Sequence, residues 1–462
     1  MAGTGATLSL NAIGLQDTIL SDVKPKNFNN SFFNYKPVQS TQSTIFYRSH
    51  TKYNPDGAGS TWPFDREIRF EIDPKTSGDL LANAYLKCTL PALDPDYGYS
   101  YQVGQAMIKE LKFMVDGVTM DTIPGDWLIL HDEILASETE QYATDALANG
   151  GRTKNLQPDS TNPIKVYVPL PFMFSRTYTK LPGNWDYNAT NDTADKSDVT
   201  FKPYFYLCAC TNQKIHISIT FNPIQFFSNT VTDITLQDIS LITEEVSLSE
   251  KERQFYMNNR QVNVVNTLIK QPVHRQDFGD GVKNSQGVIQ PGCPKEFKNF
   301  LVSNNPVKSF HWFFRNQDFE NTNNSTNYLN RFNFSRNVLT SNIFTETENQ
   351  VMRDAHIYID GHKQLGFLGS SNTGANYYKF VQTYNHGLST PERNIYTYSF
   401  SLNPKDPTPS GSLDFSILNS SKTLLTGDVL SNATSNAYNL HLYYVGYKVV
   451  GFDRGYANLL FS

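Results

Sequence analysis

The densest group of residues that could do chemistry is His131-Asp132-Glu133, an imidazole beside two carboxylates. General acid–base catalysis or metal binding would require these three side chains to converge on one point. Neighbouring side chains diverge on a strand and partly on a helix, so convergence is not expected. Apolar residues surround the triplet: Trp127, Leu128, Ile129, Leu130, Ile134 and Leu135. We therefore interpret the triplet as the polar part of an amphipathic segment.

The four cysteines are Cys88, Cys208, Cys210 and Cys293. Cys208 and Cys210 are alternate residues of YFYLCACTNQ, which predicts a strand with both thiols on the same side. A Cys-x-Cys pair could begin a metal site, but neither a second pair nor a nearby histidine completes it. We interpret the cysteines as small buried hydrophobic residues. So sparse a set does not indicate a disulfide scaffold.

Two histidines, His356 and His362, flank a predicted turn at Asp360-Gly361 and could meet across a hairpin. Without a carboxylate at metal spacing they do not define a site. The chain has no Gly-x-Ser-x-Gly elbow, no P-loop and no dinucleotide fingerprint. Carboxylate pairs for glycoside hydrolysis are defined by a distance in space, so that alternative stays open. The sequence predicts no catalytic, cofactor-binding or metal-binding residues.

Composition favours strands joined by polar loops. Aromatic residues make up 13% of the 462 residues and charged residues only 18%. The length predicts two domains. The formal net charge is −5, and no run of basic residues is present that could neutralise a series of phosphates. Direct sequence-specific binding of nucleic acid is therefore not expected.

The first 20 residues lack a basic head and a long apolar core, so we expect no secretion signal. No run of about 18 apolar residues occurs, so we expect no membrane-spanning helix. The triplets Asn188-Ala-Thr190 and Asn432-Ala-Thr434 are interpreted as chance matches to the glycosylation pattern.

Alternation of apolar and polar residues predicts strands along the chain, most cleanly at Lys214–Phe221, where isoleucines alternate with polar residues. Asn394–Leu418 reads as a half-buried strand (Ile395–Leu402), a proline-rich turn and a second strand that resumes at Leu413. The other predicted strands are Thr44–His50, Arg66–Ile72, Leu81–Leu90, Ile108–Val115, Ile164–Phe174, Val307–Arg315, His356–Asp360, Tyr377–Tyr384 and Leu440–Val450.

The strand pattern breaks at Ser247–Asn259, where Ser249 and Glu252 form a capping-box pattern that predicts a short helix. We predict an N-terminal arm at residues 1–27, a β-domain at 28–246, a helical connection at 247–260 and a second β-domain at 261–462. Asp116-Gly117 in the first half has a counterpart in Asp360-Gly361 in the second. Two antiparallel sandwiches or jelly rolls are expected.

The segment Leu402–Ser416 reads LNPKDPTPSGSLDFS, and it resembles a motif of the major capsid proteins of nucleocytoplasmic large DNA viruses, including those of algae and amoebae. The N-terminal arm is similar to that of some algal-virus members. Further segments resemble the family in the same order: Val168–Phe172 as a strand of the first roll, Leu241–Phe255 as the connection between rolls, Asn305–Lys308 before an aromatic strand, Ile359–His362 as a turn, and Tyr378–Tyr384 as a strand.

The resemblance implies an all-β fold of two consecutive eight-stranded antiparallel jelly rolls, a double jelly roll with short helices in the connections. It also implies a structural protein rather than an enzyme, with no cofactor. Its expected assembly is a homotrimeric, pseudo-hexagonal capsomer in an icosahedral virion capsid that is made inside the host cell. The implied partners are neighbouring trimers and penton and minor capsid proteins, with indirect contacts to an inner membrane or the host surface.

The polar segments Gly183–Thr200 and Glu320–Asn327 are expected to point outward, and the arm at residues 1–27 to lie under the shell. Asp277–Gly292 also departs from the family pattern. The main rival is a carbohydrate-binding β-sandwich protein or a glycoside hydrolase, for which abundant tyrosine would suit stacking on sugars. A trimer in solution would favour the capsid protein, whereas a sugar-binding protein has no need to be one.

Overall fold

The computed structural model describes residues 46–57, 59–151, 157–175, 203–277, 285–286, 294–322, 325–336, 350–364, 373–405, 409–430 and 437–460. The predicted arm, the loop Gly183–Thr200, Cys293 and both Asn-Ala-Thr triplets lie outside the described residues, as does most of Asp277–Gly292.

The described part of the first half contains ten strands. They are β1 Phe46–Tyr53, β2 Thr61–Pro63, β3 Glu67–Ile72, β4 Leu80–Leu90, β5 Ile108–Val115, β6 Val118–Pro124, β7 Ile164–Pro169, β8 Phe205–Tyr206, β9 Ile215–Phe221 and β10 Thr235–Leu248. The described part of the second half contains eleven. They are β11 Gln261–Lys270, β12 His274–Asp277, β13 Pro294–Phe300, β14 Pro306–Asn316, β15 Met352–Ile359, β16 His362–Lys363, β17 Tyr396–Ser399, β18 Leu413–Asp414, β19 Leu424–Leu430, β20 Ala437–Asp453 and β21 Tyr456–Leu459.

Short helices lie in the connections. The α-helices are α1 Val103–Ala106, α2 Gly125–Ile134, α3 Glu138–Ala148, α4 Ile224–Phe227, α5 Glu250–Asn258, α6 Thr373–Asn376 and α7 Gln382–Asn385. A π-helical turn, Tyr377–Val381, joins α6 to α7. The 3₁₀ turns are Leu207–Ala209, Gln317–Phe319, Ser325–Asn330 and Phe415–Ile417. Among the described residues, no helix is long and apolar enough to cross a membrane.

The two halves have the same sheet topology. The first half has antiparallel sheets ordered β1-β10-β4-β7 and β3-β9-β5-β6, and the second has β11-β20-β14-β17 and β13-β19-β15-β16. The remaining short strands pair outside these paths. Each half is therefore an eight-stranded jelly roll, and the predicted double jelly roll is confirmed.

The two Asp-Gly turns occupy equivalent places in this repeat, between β5 and β6 and between β15 and β16. Asp116 and Gly117 have φ of 52° and 82°, and Asp360 and Gly361 have 49° and 84°. Positive φ at both central residues is the two-residue hairpin geometry whose twist matches that of the flanking strands. The weak duplication signal in the sequence thus marks a repeat of the whole strand order.

The alternating pattern that predicted β9 is confirmed, because Ile215, Ile217, Ile219 and Phe221 are fully buried. Eight of the other predicted strands are also present, most with shifted ends. They are β1, β3, β4, β5, β7, β14, β15 and β20. The β7 pattern runs on too far in the prediction, since the strand ends at Pro169, whose ring leaves no backbone donor.

Strands β14 and β20 are buried on both faces. Phe310 and Trp312 of β14 belong to the core of the second half, whereas Phe313 of the same strand belongs to the core that spans the first half. On β20, Tyr444 lies in the second core and Tyr443 in the first. A sheet face that would meet solvent in an isolated roll is thus covered by the other half.

The predicted strand Tyr377–Tyr384 is wrong, because this segment is helical. Aromatic residues at alternate positions gave the sequence pattern of a strand. In the structure, the buried residues of this segment follow the spacing of a helix. Tyr378 and Gln382 are buried, while Val381 is 42% exposed and Tyr384 is 86% exposed.

The predicted half-buried strand Ile395–Leu402 is largely wrong. Only Tyr396–Ser399 is a strand, and its burial does not alternate. Leu402 is 50% exposed, whereas Ser399 and Ser401 are buried. The Ser399 hydroxyl donates to the backbone oxygen of Ser401 at 2.9 Å and lies 3.3 Å from that of Lys308, so it is not left without a hydrogen-bond partner when buried. The second strand also shortens, to Leu413–Asp414 followed by a 3₁₀ turn.

The structure differs in part from two other local predictions. The strand expected through Cys208 and Cys210 ends at Tyr206, and Cys208 lies in a 3₁₀ turn. Helix α5 begins after Ser249, as predicted, but the Ser249 side chain makes no capping hydrogen bond. The proposed domain boundaries themselves stay a prediction.

Candidate functional site at the interface between the two halves

Helix α2 lies between the two halves and supplies several of the contacts that join them. It follows β6 directly, and its first residue, Gly125, passes very close to β5. A Cβ atom there would lie 1.9 Å from the backbone oxygen of Ile108, so only glycine permits this approach. The helix then presents Asp126, Trp127 and Glu133 to the second half.

Asp126 is the centre of a buried ionic cluster. Its carboxylate accepts a hydrogen bond from Arg315 Nη2 at 2.8 Å and one from the Tyr443 hydroxyl at 3.2 Å. Lys270 Nζ lies 3.8 Å away. Burial alone would raise the pKa of Asp126, but the charges of Arg315 and Lys270 outweigh it and hold the pKa well below its usual range. The carboxylate is therefore ionised at neutral pH.

The cluster continues to Glu320 and His441. Glu320 accepts hydrogen bonds from His441 Nε2 and from Asn439 Nδ2, and Arg315 lies 3.7 Å from it. Burial lowers the pKa of His441, which keeps its imidazole neutral. Burial opposes ionisation of Glu320, but its hydrogen bond with His441 and the charge of Arg315 lower its pKa. The His441 ring stacks on Phe313 with centroids 4.8 Å apart.

Trp127 provides the apolar part of the interface. Its ring centroid lies 5.7 Å from those of both His311 on β14 and Tyr443 on β20. His311 is hydrogen-bonded to the hydroxyls of Thr397 (2.9 Å) and Ser309 (3.2 Å). Burial lowers the pKa of His311 to about 3, so this ring is also neutral.

The predicted polar triplet lies near the end of α2, and its three side chains go to different partners. Glu133 is 3% exposed and forms an ion pair with the guanidinium of Arg393 in the second half, whose backbone N–H donates to it at 2.9 Å. Asp132 accepts a hydrogen bond from Gln105, and His131 lies beside Asp132. The side chains do not converge on one point, as expected. The burial of Glu133 between the halves was not expected from an amphipathic segment.

Arg331 makes a third connection, with hydrogen bonds to backbone oxygens of both halves. Its guanidinium donates to Phe226 and Gln225 of the first half, each at 3.1 Å, and to Phe319 (2.6 Å) and Asn321 (2.9 Å) of the second. Burial lowers its pKa to about 10, which still leaves it charged at neutral pH. These hydrogen bonds hold the segment that begins at Gln317 against the interface. Two residues of the loop predicted to point outward therefore contact buried residues: Asn321 contacts Arg331, and Glu320 contacts His441.

The other candidate residues are scattered. Cys88, Cys208 and Cys210 are buried with free thiols, and burial raises the pKa of each. His362 pairs with Ile359 across the hairpin, whereas His356 pairs with Thr426 on β19. Within the described ranges, no group of three or more His, Cys, Asp or Glu side chains is arranged to hold a metal ion.

Sequence reasoning missed Asp126, Arg315, Arg331 and Arg393, the charged residues that join the halves. One signal was present in VKSFHWFFR, where His311 and Arg315 alternate with the aromatic residues of a strand. Polar residues on one face of so aromatic a strand can indicate a second buried interface rather than solvent. Their partners on α2 lie nearly 190 residues away and carry no matching local pattern.

The charged groups of this interface are paired with each other across the two halves, and Arg315, Arg393 and Glu133 are at most 5% exposed. Such an arrangement fixes two jelly rolls in one relative position. The fold and this interface define the class of the protein: a double jelly roll whose two lobes are joined by buried ion pairs.

Comparisons with known proteins agree with that class. A family model described as the large eukaryotic DNA virus major capsid protein matches residues 208–456, more than half of the chain. A second, described as the major capsid protein N-terminus, matches residues 61–188. The chain therefore belongs to the family of major capsid proteins of large eukaryotic DNA viruses.

Individual relatives are distant but extend over most of the chain. The major capsid protein of Phaeocystis pouchetii virus is 21% identical over 99% of this chain and 99% of its own length. Capsid protein 1 of Acanthamoeba polyphaga mimivirus is 24% identical over 67% of this chain and 48% of its own length. Their names agree with the function, that of a structural capsid protein located in the virion capsid.

Solved structures support the fold. The crystal structure of PBCV-1 VP54, fitted into a reconstruction of the virophage Sputnik, matches with a TM-score of 0.69 at 17% identity, covering 94% of this chain and 100% of that one. The Faustovirus major capsid protein matches with a TM-score of 0.59 at 11% identity, covering 95% of this chain and 94% of the other.

Proposed function

We propose that three copies of this chain form a pseudo-hexagonal capsomer, and that such capsomers tile the icosahedral shell of a large double-stranded DNA virus. The observation that carries the proposal is the repeated strand order of the two halves. Two similar lobes per chain give six similar lobes in a trimer, which is the outline needed to tile a surface. A threefold ring also closes a set of head-to-tail contacts, so that assembly stops at a defined size.

The buried interface between the halves supports this proposal. Lobes that moved independently would not present six edges at fixed angles, and the connections through Arg315, Arg331 and Arg393 oppose such movement. Lobe boundaries at residues 28–246 and 261–462, with the connection at 247–260 between them, are part of the proposal. The arm at residues 1–27 is assigned to contacts beneath the shell.

The proposed partners are neighbouring trimers, penton proteins and minor capsid proteins, with only indirect contact to an inner membrane or the host surface. Assembly inside the host cell is proposed with them. The protein is proposed to have no enzymatic activity, in keeping with the structural role that its family implies.

The purified protein provides a direct test. Sedimentation or light scattering should give three times the chain mass of 52.3 kDa. Negative-stain electron microscopy should show particles with six lobes. A monomer at all accessible concentrations would overturn the proposal, and binding on a glycan array by that monomer would favour the carbohydrate-binding alternative.

A further inference from the structure

The contact between the two halves can serve as a template for a contact between chains. Three residues form a row across the outer face of the second-half sheet: Lys270 on β11 pairs with Tyr443 on β20, which pairs with His311 on β14. Directly paired residues point to the same face of a sheet. Trp127 of the first half packs on this row, 5.7 Å from both rings.

The first half contains a similar row on the corresponding strands. Lys52 on β1 pairs with Ile242 on β10, which pairs with Tyr85 on β4. The three strands correspond to β11, β20 and β14 in the repeated order, and Tyr85 and His311 are each the sixth residue of their strand. Both rows begin with lysine and end with a ring. The first-half row remains accessible to solvent within the chain, because Lys52 is exposed and Ile242 and Tyr85 are partly exposed.

The second half also contains a helical segment in the position of α2. Helix α2 follows the β5–β6 hairpin, and α6, the π-helical turn and α7 follow the β15–β16 hairpin. One side of this segment is buried in its own roll, through Tyr378 and Thr383. The other side exposes Val381 and Tyr384, which are 42% and 86% exposed.

From this correspondence we infer that Tyr384 of one chain packs on the Lys52–Ile242–Tyr85 row of a second copy. The inference rests on the proposed trimer and adds the surfaces that form it. Within each chain the first half covers the sheet of the second. Between chains the second half covers the sheet of the next first half, and three such contacts close the ring. The Tyr384 ring would contact the ring of Tyr85 and the apolar side chain of Ile242. Lys52 would then lie where its ammonium group can approach the face of the Tyr384 ring.

The test measures the trimer–monomer equilibrium of the full chain by sedimentation. Because Tyr384 is almost fully exposed, Tyr384→Ala should leave the monomer fold intact, as thermal unfolding can verify. The concentration at which trimers half-dissociate should rise by about tenfold or more, since each trimer loses three aromatic contacts. Tyr456→Ala is the matched control, because Tyr456 on β21 is 47% exposed and lies outside the proposed contact.

A double-mutant cycle identifies the receiving surface. Tyr85→Ala should weaken the trimer by itself, and Tyr384→Ala should add little further weakening in that background if the two side chains touch. Strictly additive effects would overturn the assignment of this row. So would a Tyr384→Ala protein that assembles like the wild type, or an equal loss with Tyr456→Ala. A wild-type chain that never forms trimers would instead contradict the proposed function.

Discussion

Three arginines join the two halves at the level of single side chains. Arg315, Arg331 and Arg393 are each at most 5% exposed, and each contacts groups from both halves. Removing a guanidinium from water is costly unless its donors find charged or strongly polar acceptors. Each arginine therefore stabilises only the arrangement in which both halves are in place.

Replacing one of these arginines should destabilise the protein strongly. Arg393→Met would leave the buried carboxylate of Glu133 without its counter-charge, and we expect a loss of about 3–5 kcal/mol in the free energy of unfolding. Urea denaturation followed by tryptophan fluorescence measures it. Arg69→Met is the matched control, since the Arg69–Glu67 pair is exposed and should contribute less than about 1 kcal/mol. Equal effects of the two substitutions would contradict this account.

The buried thiols should be chemically inert in the folded protein. Burial raises the pKa of Cys208 to about 12, so its reactive thiolate is scarce at pH 8. In a Cys293→Ser background, a thiol reagent should label Cys88, Cys208 and Cys210 only after denaturant is added. Mass spectrometry counts the labels. Fast labelling of a native thiol at the rate of a free cysteine would contradict the burial of that residue.

The hairpins show what the sequence could specify at the scale of elements. The two Asp-Gly turns could be predicted from the sequence, because glycine and aspartate tolerate the positive φ that a two-residue turn requires. The helical segment around Tyr378 could not be predicted from the sequence. Its alternate aromatic residues satisfy a strand pattern equally well, and burial against β15 and β17 decided between the two. The prediction for the strand at Tyr396–Ser399 was wrong for a related reason. Contacts on both faces of this strand removed the alternation of buried and exposed residues.

The interface was less predictable than the fold. Each strand pattern depends on its own few residues, whereas the pairing of Asp126 with Arg315 depends on how two complete rolls pack. The resemblance of Leu402–Ser416 to a family motif indicated the rolls but carried no information on these contacts. Residues that join distant parts of a chain are recognised in the structure by their burial and charge.

A substitution at the first hairpin tests the turn. Gly117→Ala should lower the free energy of unfolding by about 1–2 kcal/mol, because alanine is strained at a φ of 82°. An added Cβ would meet no atom within 4 Å, so the cost is conformational rather than steric. Gly59→Ala is the control, since its φ is outside the left-handed range and its nearest neighbour would be Trp62 at 3.6 Å. Equal losses would show that strain at the turn is not the cause.

At the scale of the whole molecule, the buried interface makes stability depend on pH. His441 and His311 are neutral in the fold because burial lowers the pKa of each. In the unfolded chain both take up a proton below a pKa of about 6.5, so stability falls as the pH drops below that value. The pKa values of Asp126 and Glu320 are lowered in the fold, so their stabilisation is lost at lower pH, below about 4. All four groups therefore weaken the protein on acidification.

The histidine effect can be isolated at His311, which is enclosed by Trp127, Ser309 and Thr397 and lies near the charge of Lys308. With a folded pKa of about 3, this one group should remove about 2 kcal/mol between pH 7 and pH 5. His311→Gln keeps hydrogen-bonding atoms but cannot titrate. Its free energy of unfolding should therefore fall with pH less steeply than that of the wild type, by about 1.2 kcal/mol per pH unit near pH 5.5.

Urea titrations at half-unit steps from pH 7.5 to pH 5 provide the slopes, and His362→Gln is the control. The His362 side chain is exposed on β16, so its removal should leave the slope of the wild type unchanged. If His311→Gln and the wild type lose stability in parallel, the proton is not excluded from the interface. If the slope flattens only at His311, the contact between the two lobes is itself the acid-sensitive part of the molecule. The proposed six-lobed capsomer, whose outline would depend on that contact, should then lose its shape over the same pH range.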